Sequence, residues 1–169
     1  MASPRPGTQT GTRLYSPEER QRRDASVWTL VQGVLAPVQF LAFLVSLVLL
    51  LRYLASGAGE QAAMLSVVVK TALLYLIMVT GSIWEKVVFG RWLFAPAFYW
   101  EDVFSMLVLA LHTGYLVALA TGALDTRGQM LLALAAYAAY LINATQFLLK
   151  LRAARLQQAA QASNAGVPA

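Results

Sequence analysis

Four apolar stretches, each about as long as a lipid bilayer is thick, constrain this chain more than any other feature. They run from about Trp28 to Leu54, Ala62 to Ile83, Phe98 to Ala120 and Met130 to Leu149. A helix needs about 20 such residues to cross roughly 30 Å of hydrocarbon. Short turn-forming segments separate them, at Ser56-Gly57-Ala58-Gly59 and from Thr121-Gly122 to Gly128. The expected fold is all-α, a polytopic membrane protein built as a bundle of four transmembrane helices. Pro37 is expected to kink the first. The composition agrees: 59% of the residues are hydrophobic and 12% charged, against about 25% charged in a soluble domain.

The flanks are different text. Residues 1–13 are polar and rich in Arg, Thr, Pro and Gly, and are expected to be disordered. Residues 14–156 form the single membrane domain, and residues 157–169 are expected to be a flexible tail. Ser16-Pro17-Glu18-Glu19 reads as a helix start, with a cap, a proline and first-turn acids. The basic residues Arg20, Arg22 and Arg23 follow, so a short surface helix should lead into the membrane. The first apolar run is too long for a signal peptide and lacks a small-residue cleavage site.

The net charge of +5 does not point to nucleic acid, because the charges flank apolar runs and no reader motif is present. They report topology instead. Ten of the 13 Lys and Arg residues fall on the side of the N-terminal arm, the middle loop and the C-terminal segment. Arg52 and Arg127 lie on the other side, and Lys70 lies inside a helix. The positive-inside rule then predicts cytoplasmic termini and a cytoplasmic middle loop. With no cysteine, the chain has no disulfide, iron–sulfur cluster or thiolate zinc site. Its single histidine excludes a multi-histidine metal site.

Candidate chemistry gathers in that middle loop. Residues 84–102 hold three of the four tryptophans, Trp84, Trp92 and Trp100, together with Phe98, the acids Glu85, Glu101 and Asp102, and the bases Lys86 and Arg91. One reading is an interfacial aromatic belt with balancing charge. The other is a surface for a large, flat, apolar ligand with an acidic edge. Helical projection at 100° per residue adds inward stripes. Glu101, Ser105 and His112 share one face of the third helix, and Thr71, Tyr75, Met78, Ser82 and Glu85 lie on one side of the second. Gln32, Gln39, Ser46 and Tyr53 repeat every seven residues on the first, and Asn143, Gln146 and Lys150 share a face of the fourth. Such stripes turn away from lipid, either to bond the helices together or to line a site. Lys70 is read either as a functional intramembrane charge or as a side chain snorkelling to the periplasmic surface.

Trp28 to Gly33, Val79 to Pro96, and Trp100-Glu101-Asp102 through His112 together resemble the 2-vinyl (3-vinyl in current ring numbering) bacteriochlorophyllide hydratases of phototrophic bacteria. The resemblance covers about Leu14 to Leu156 and is most specific in its central stretch. It implies an enzyme, a hydro-lyase that adds water across the vinyl group of chlorophyllide a or 3-vinyl bacteriochlorophyllide a. The product carries a 1-hydroxyethyl group, which another enzyme oxidises to acetyl in bacteriochlorophyll a synthesis. It further implies a multi-pass protein of the inner or intracytoplasmic photosynthetic membrane, in contact with lipid and associated with other pigment-biosynthesis enzymes. The alternative is a non-catalytic chlorin-binding or pigment-assembly subunit, which would have no need of the acids beside the aromatics.

No catalytic set is carried over by the resemblance, so the site follows from chemistry. Hydration protonates the terminal vinyl carbon, leaves a cation on the inner carbon, and ends with attack by water. That requires a protonated acid and a base, and no cofactor. The expected acid is among Glu101, Asp102 and Glu85. His112 is either a proton-transfer group or an axial ligand to the substrate magnesium, with no metal site of the protein's own. Trp84, Arg91, Trp92, Phe98, Trp100 and Ser105 are expected to bind the substrate. Glu101 and His112 lie about 16 Å apart along the helix axis, so they cannot both touch one vinyl group.

Overall fold

The computed structural model describes residues 14–165, all helix and connecting loop among them. The expected disorder of residues 1–13 lies outside the described residues. Five helices follow one another: α1 (Pro17–Ala25), α2 (Val27–Ser56), α3 (Glu60–Phe89), α4 (Tyr99–Thr121) and α5 (Thr126–Ala165). The last four are long and apolar enough to cross a membrane. Their outward faces carry the apolar side chains, among them Val34, Leu41, Val48, Leu65, Leu107 and Leu148. Such a surface is at home in lipid rather than water.

Local chemistry sets the boundaries. Ser16 caps α1 in a reciprocal capping box with Glu19, as the Ser-Pro-Glu-Glu sequence implies. Ser26 caps α2 through a bond from the Trp28 amide. At the other ends, Gly57, Gly90 and Gly122 adopt left-handed conformations that close α2, α3 and α4. α2 runs continuously through Pro37, whose ring faces outward. Beyond Gly128 in its first turn, α5 has no glycine or proline before Ala165. Residues 157–165, expected in a flexible tail, are therefore helical, built of the Ala and Gln that favour helix.

α2 pairs with α3 and α4 with α5 along their lengths, giving two antiparallel hairpins. Between the hairpins the contacts are fewer and many are polar. Ser46 Oγ bonds Tyr137 Oη at 2.5 Å, Tyr75 Oη meets Thr113 Oγ1 at 2.7 Å, and Thr126 Oγ1 donates to Glu60 Oε1 at 2.9 Å. Phe43, Leu50, Val67, Leu74, Val108, Tyr115, Met130 and Tyr137 fill the centre. The polar stripes read from the sequence do face inward: Gln39, Ser46, Thr71, Glu101, Ser105, His112 and Asn143 are all buried.

Lys70 corrects one expectation. It does not snorkel to a surface but is wholly buried, because α4 and α5 supply partners at its own depth. Its Nζ lies 3.0 Å from His112 Nε2 and 4.0 Å from the centre of the Tyr140 ring.

Candidate acid site at the loop end of the bundle

One end of the bundle gathers the start of α1, the 90–98 loop, the start of α4 and residue 150 of α5. Tyr15 stacks on Phe89 with ring centres 5.7 Å apart. Phe98 lies against Tyr15, Trp84, Phe89 and Phe147. This is a small, closed aromatic core. Phe98 is 2% exposed, and the Trp84 indole spends its N–H on Thr29 Oγ1 at 2.9 Å. Burial pushes the Tyr15 phenol above its usual value, against the pull of the Arg23 guanidinium 4.7 Å from the ring centre.

The other aromatics stand outside it. Trp92 is 59% and Trp100 68% exposed, and the rings of Phe94, Tyr99 and Trp100 follow one another at 5.8 and 5.5 Å. The aromatic set read from the sequence thus divides into two parts. Trp84 and Phe98 hold the end of the bundle together, while Trp92 and Trp100 stand exposed, as does Arg91.

Three acids of α3 and α4 lie at this end, and all three are buried. Glu85 comes from the last turn of α3, and Glu101 and Asp102 from the first turn of α4. Phe94 sits at φ 58°, a left-handed conformation uncommon for a bulky residue. Its N–H donates to Asp102 Oδ2 at 2.8 Å, and the next amide, Ala95 N–H, donates to Glu85 Oε2 at 3.2 Å. The Glu85 and Asp102 carboxyls are thereby held on successive amides of one loop. Glu85 thus serves the loop backbone, while Lys86 turns to the Gly90 carbonyl at 3.0 Å. Glu101 pairs with Lys150 Nζ at 2.5 Å, and that ammonium lies 5.1 Å from the centre of the Phe98 ring.

Chemically, this is a pair of carboxyls held on adjacent loop amides, next to a carboxylate–ammonium pair, at an end of the bundle that also carries exposed aromatic rings. Such an arrangement can donate a proton, accept one, and stabilise a nearby cation. Among the described residues, no group of three or more His, Asp or Glu side chains is placed to hold a metal ion.

The sequence-derived site is only partly assembled here. Glu85, Glu101 and Asp102 gather at this end, and Trp92, Trp100 and Arg91 are exposed residues of the same segment. Ser105 lies one turn further inside α4, where its Oγ accepts from Asn143 Nδ2 at 2.7 Å. His112 is deeper still, with both ring nitrogens engaged: Nδ1 donates to the Val108 carbonyl at 2.8 Å and Nε2 faces Lys70. The sequence pass missed Lys150 as a partner of Glu101, although its place on the Asn143–Gln146 face was a signal. It also missed Tyr15 and Phe147, for which no sequence signal existed.

The model of the 2-vinyl bacteriochlorophyllide hydratase family matches residues 15–153. The chain belongs to this family. It is 67% identical over 148 residues to the 2-vinyl bacteriochlorophyllide hydratase of Rhodobacter capsulatus, a match covering 88% of this chain and 86% of that protein. It is 66% identical over 149 residues to the hydratase of that name from Cereibacter sphaeroides, covering 88% and 92%. No solved structure matches. The family match takes in three membrane helices whole, most of the fourth, and Glu85, Glu101 and Asp102.

Proposed function

We propose that this chain is a hydro-lyase of bacteriochlorophyll synthesis, adding water across the C3 vinyl group of chlorophyllide a or 3-vinyl bacteriochlorophyllide a. Family membership over nearly the whole membrane domain carries this reading. The loop-end geometry supports it, since a chlorin is flat, greasy and edged by one carboxylate. Its face suits the shelf of Trp92, Phe94, Tyr99 and Trp100, and its propionate suits the exposed Arg91.

In this reading the Glu85–Asp102 pair supplies the proton that adds to the terminal vinyl carbon. The cation on the inner carbon is conjugated with the macrocycle and stabilised by the nearby carboxylates. Water forms the new C–O bond there, and its surplus proton returns to a carboxylate. Glu101, paired with Lys150, fixes the negative charge beside that step. A subunit that merely held pigment would gain nothing from three buried acids, since burying carboxyls is costly without a use.

The protein acts in the inner or intracytoplasmic photosynthetic membrane, with both termini and the 90–98 loop in the cytoplasm, where the other pigment-biosynthesis enzymes can meet it. The excess of Lys and Arg at that end supports the orientation. The direct test is incubation of the purified protein with chlorophyllide a, followed by chromatography and mass analysis of the pigment. A product heavier by one water is expected. Pigment that binds and stays unchanged would support the alternative, a non-catalytic chlorin carrier.

A further inference from the structure

Among the buried polar atoms with no hydrogen-bond partner in the described residues are Gln39 Nε2 on α2 and Asn143 Oδ1 on α5, with Gln146 Oε1 one turn nearer the acids. Gln39 is 3% and Asn143 8% exposed. Their placement follows from a ring contact one turn away. Phe43 and Tyr140 touch with centroids 5.1 Å apart. Gln39 precedes Phe43 by four residues, and Asn143 follows Tyr140 by three. Because α2 and α5 run in opposite directions, both steps lead toward the acid end, which puts the two amides at about the same level of the bundle. The Asn143 Nδ2 bond to Ser105 Oγ brings α4 to that level. Ser105 lies one turn inward of Glu101, about 6 Å along the axis at 1.5 Å per residue.

A buried donor or acceptor left unmade costs about 1–3 kcal/mol. Here one orphan is a donor, the other an acceptor, and a hydroxyl adjoins them. A water molecule satisfies this set, since buried waters make two to four bonds to otherwise unpaired groups. We propose that Gln39, Ser105 and Asn143 hold the water molecule that is added to the substrate. The proposal rests on the hydratase reading and on Glu85 and Asp102 as the proton source. It gives the nucleophile a fixed place on the interior side of the acids, whereas the chlorin arrives from the shelf outside. The chemistry balances: the carboxyl proton forms the new C–H bond and opens the vinyl double bond. The water oxygen then forms the C–O bond, and one water proton passes to the emptied carboxylate.

The test uses the cation's two fates in deuterium oxide. Capture by water gives product. Loss of a proton returns the vinyl group, now carrying deuterium on its terminal carbon. Removing the water-holding groups should favour return. Gln39→Leu and Asn143→Leu are therefore expected to raise the ratio of deuterium wash-in to hydration at least tenfold relative to wild type. An unchanged ratio would overturn the proposal. Failure of the acid reading looks different, because Glu85→Gln and Asp102→Asn would then leave both wash-in and hydration unaltered. An experimental map of the wild-type protein serves if the leucine variants do not fold. Density for a water within hydrogen-bonding reach of Gln39 and Asn143 is expected, and a direct bond between the two amides would sink the idea.

Discussion

Lys70 Nζ lies 3.0 Å from His112 Nε2 in the middle of the bundle, with both side chains sealed from solvent and lipid. The second imidazole nitrogen is committed to the Val108 carbonyl. A magnesium ligand needs a free nitrogen, so His112 would have to give up one of these bonds to serve as one.

His112→Leu is therefore expected to act on stability. It leaves the Lys70 amine without its partner, and a loss of about 1–3 kcal/mol follows. The double variant Lys70→Met/His112→Leu removes both ends and should cost less than the two single changes added together. Unfolding in detergent measures all three. If His112→Leu keeps its stability but shifts the absorption of bound chlorin, the magnesium-ligand role returns.

The carboxyl pair makes a sharper claim on rate. Glu85→Gln and Asp102→Asn keep size and most hydrogen bonds but remove a transferable proton. At least one should lower kcat by about two to four powers of ten, the range of general acid catalysis. Glu101→Gln is expected to have a smaller effect on rate and to weaken the tie between α4 and α5. Single-turnover assays on protein that still binds pigment separate these outcomes. Wild-type rates in all three variants would place the proton donor elsewhere.

The two classes of aromatic residue should part company on mutation. Trp100→Ala is expected to raise KM by up to about tenfold with stability unchanged, since aromatic stacking contributes about 0.5–1.5 kcal/mol. Phe98→Ala empties a packed position and should cost about 3–5 kcal/mol of stability. Parallel substrate titrations and melting curves decide. A stable Phe98→Ala protein with a raised KM would move Phe98 to the binding surface.

Reporter fusions test the orientation. Fusions at Ala58 and Asp125 should read periplasmic, and a fusion at Arg91 cytoplasmic. A cytoplasmic reading at Ala58 would invert the assignment of the loop end.

How far the sequence led depends on distance along the chain. Span number, the α1 start and the inward stripes are local, and helical periodicity makes them readable. Gln39 and Ser46 were visible as one line because their seven-residue spacing is two turns of one helix. What lay between helices was hidden. Nothing near Lys70 in sequence announces His112, 42 residues away, so its burial could not be told from snorkelling. The acids were legible as a group. Their hold on the Phe94 and Ala95 amides was not, because it depends on a left-handed Phe94 that no sequence rule anticipates.

The division into two hairpins bears on biosynthesis of the protein itself. Glu85 arrives with the first hairpin, while Asp102, Glu101 and Lys150 arrive with the second. A ribosome that has released only α2 and α3 has made a membrane-anchored segment with Glu85 alone of the three loop-end acids. The three acids of the loop end therefore meet only once the second hairpin has inserted and docked.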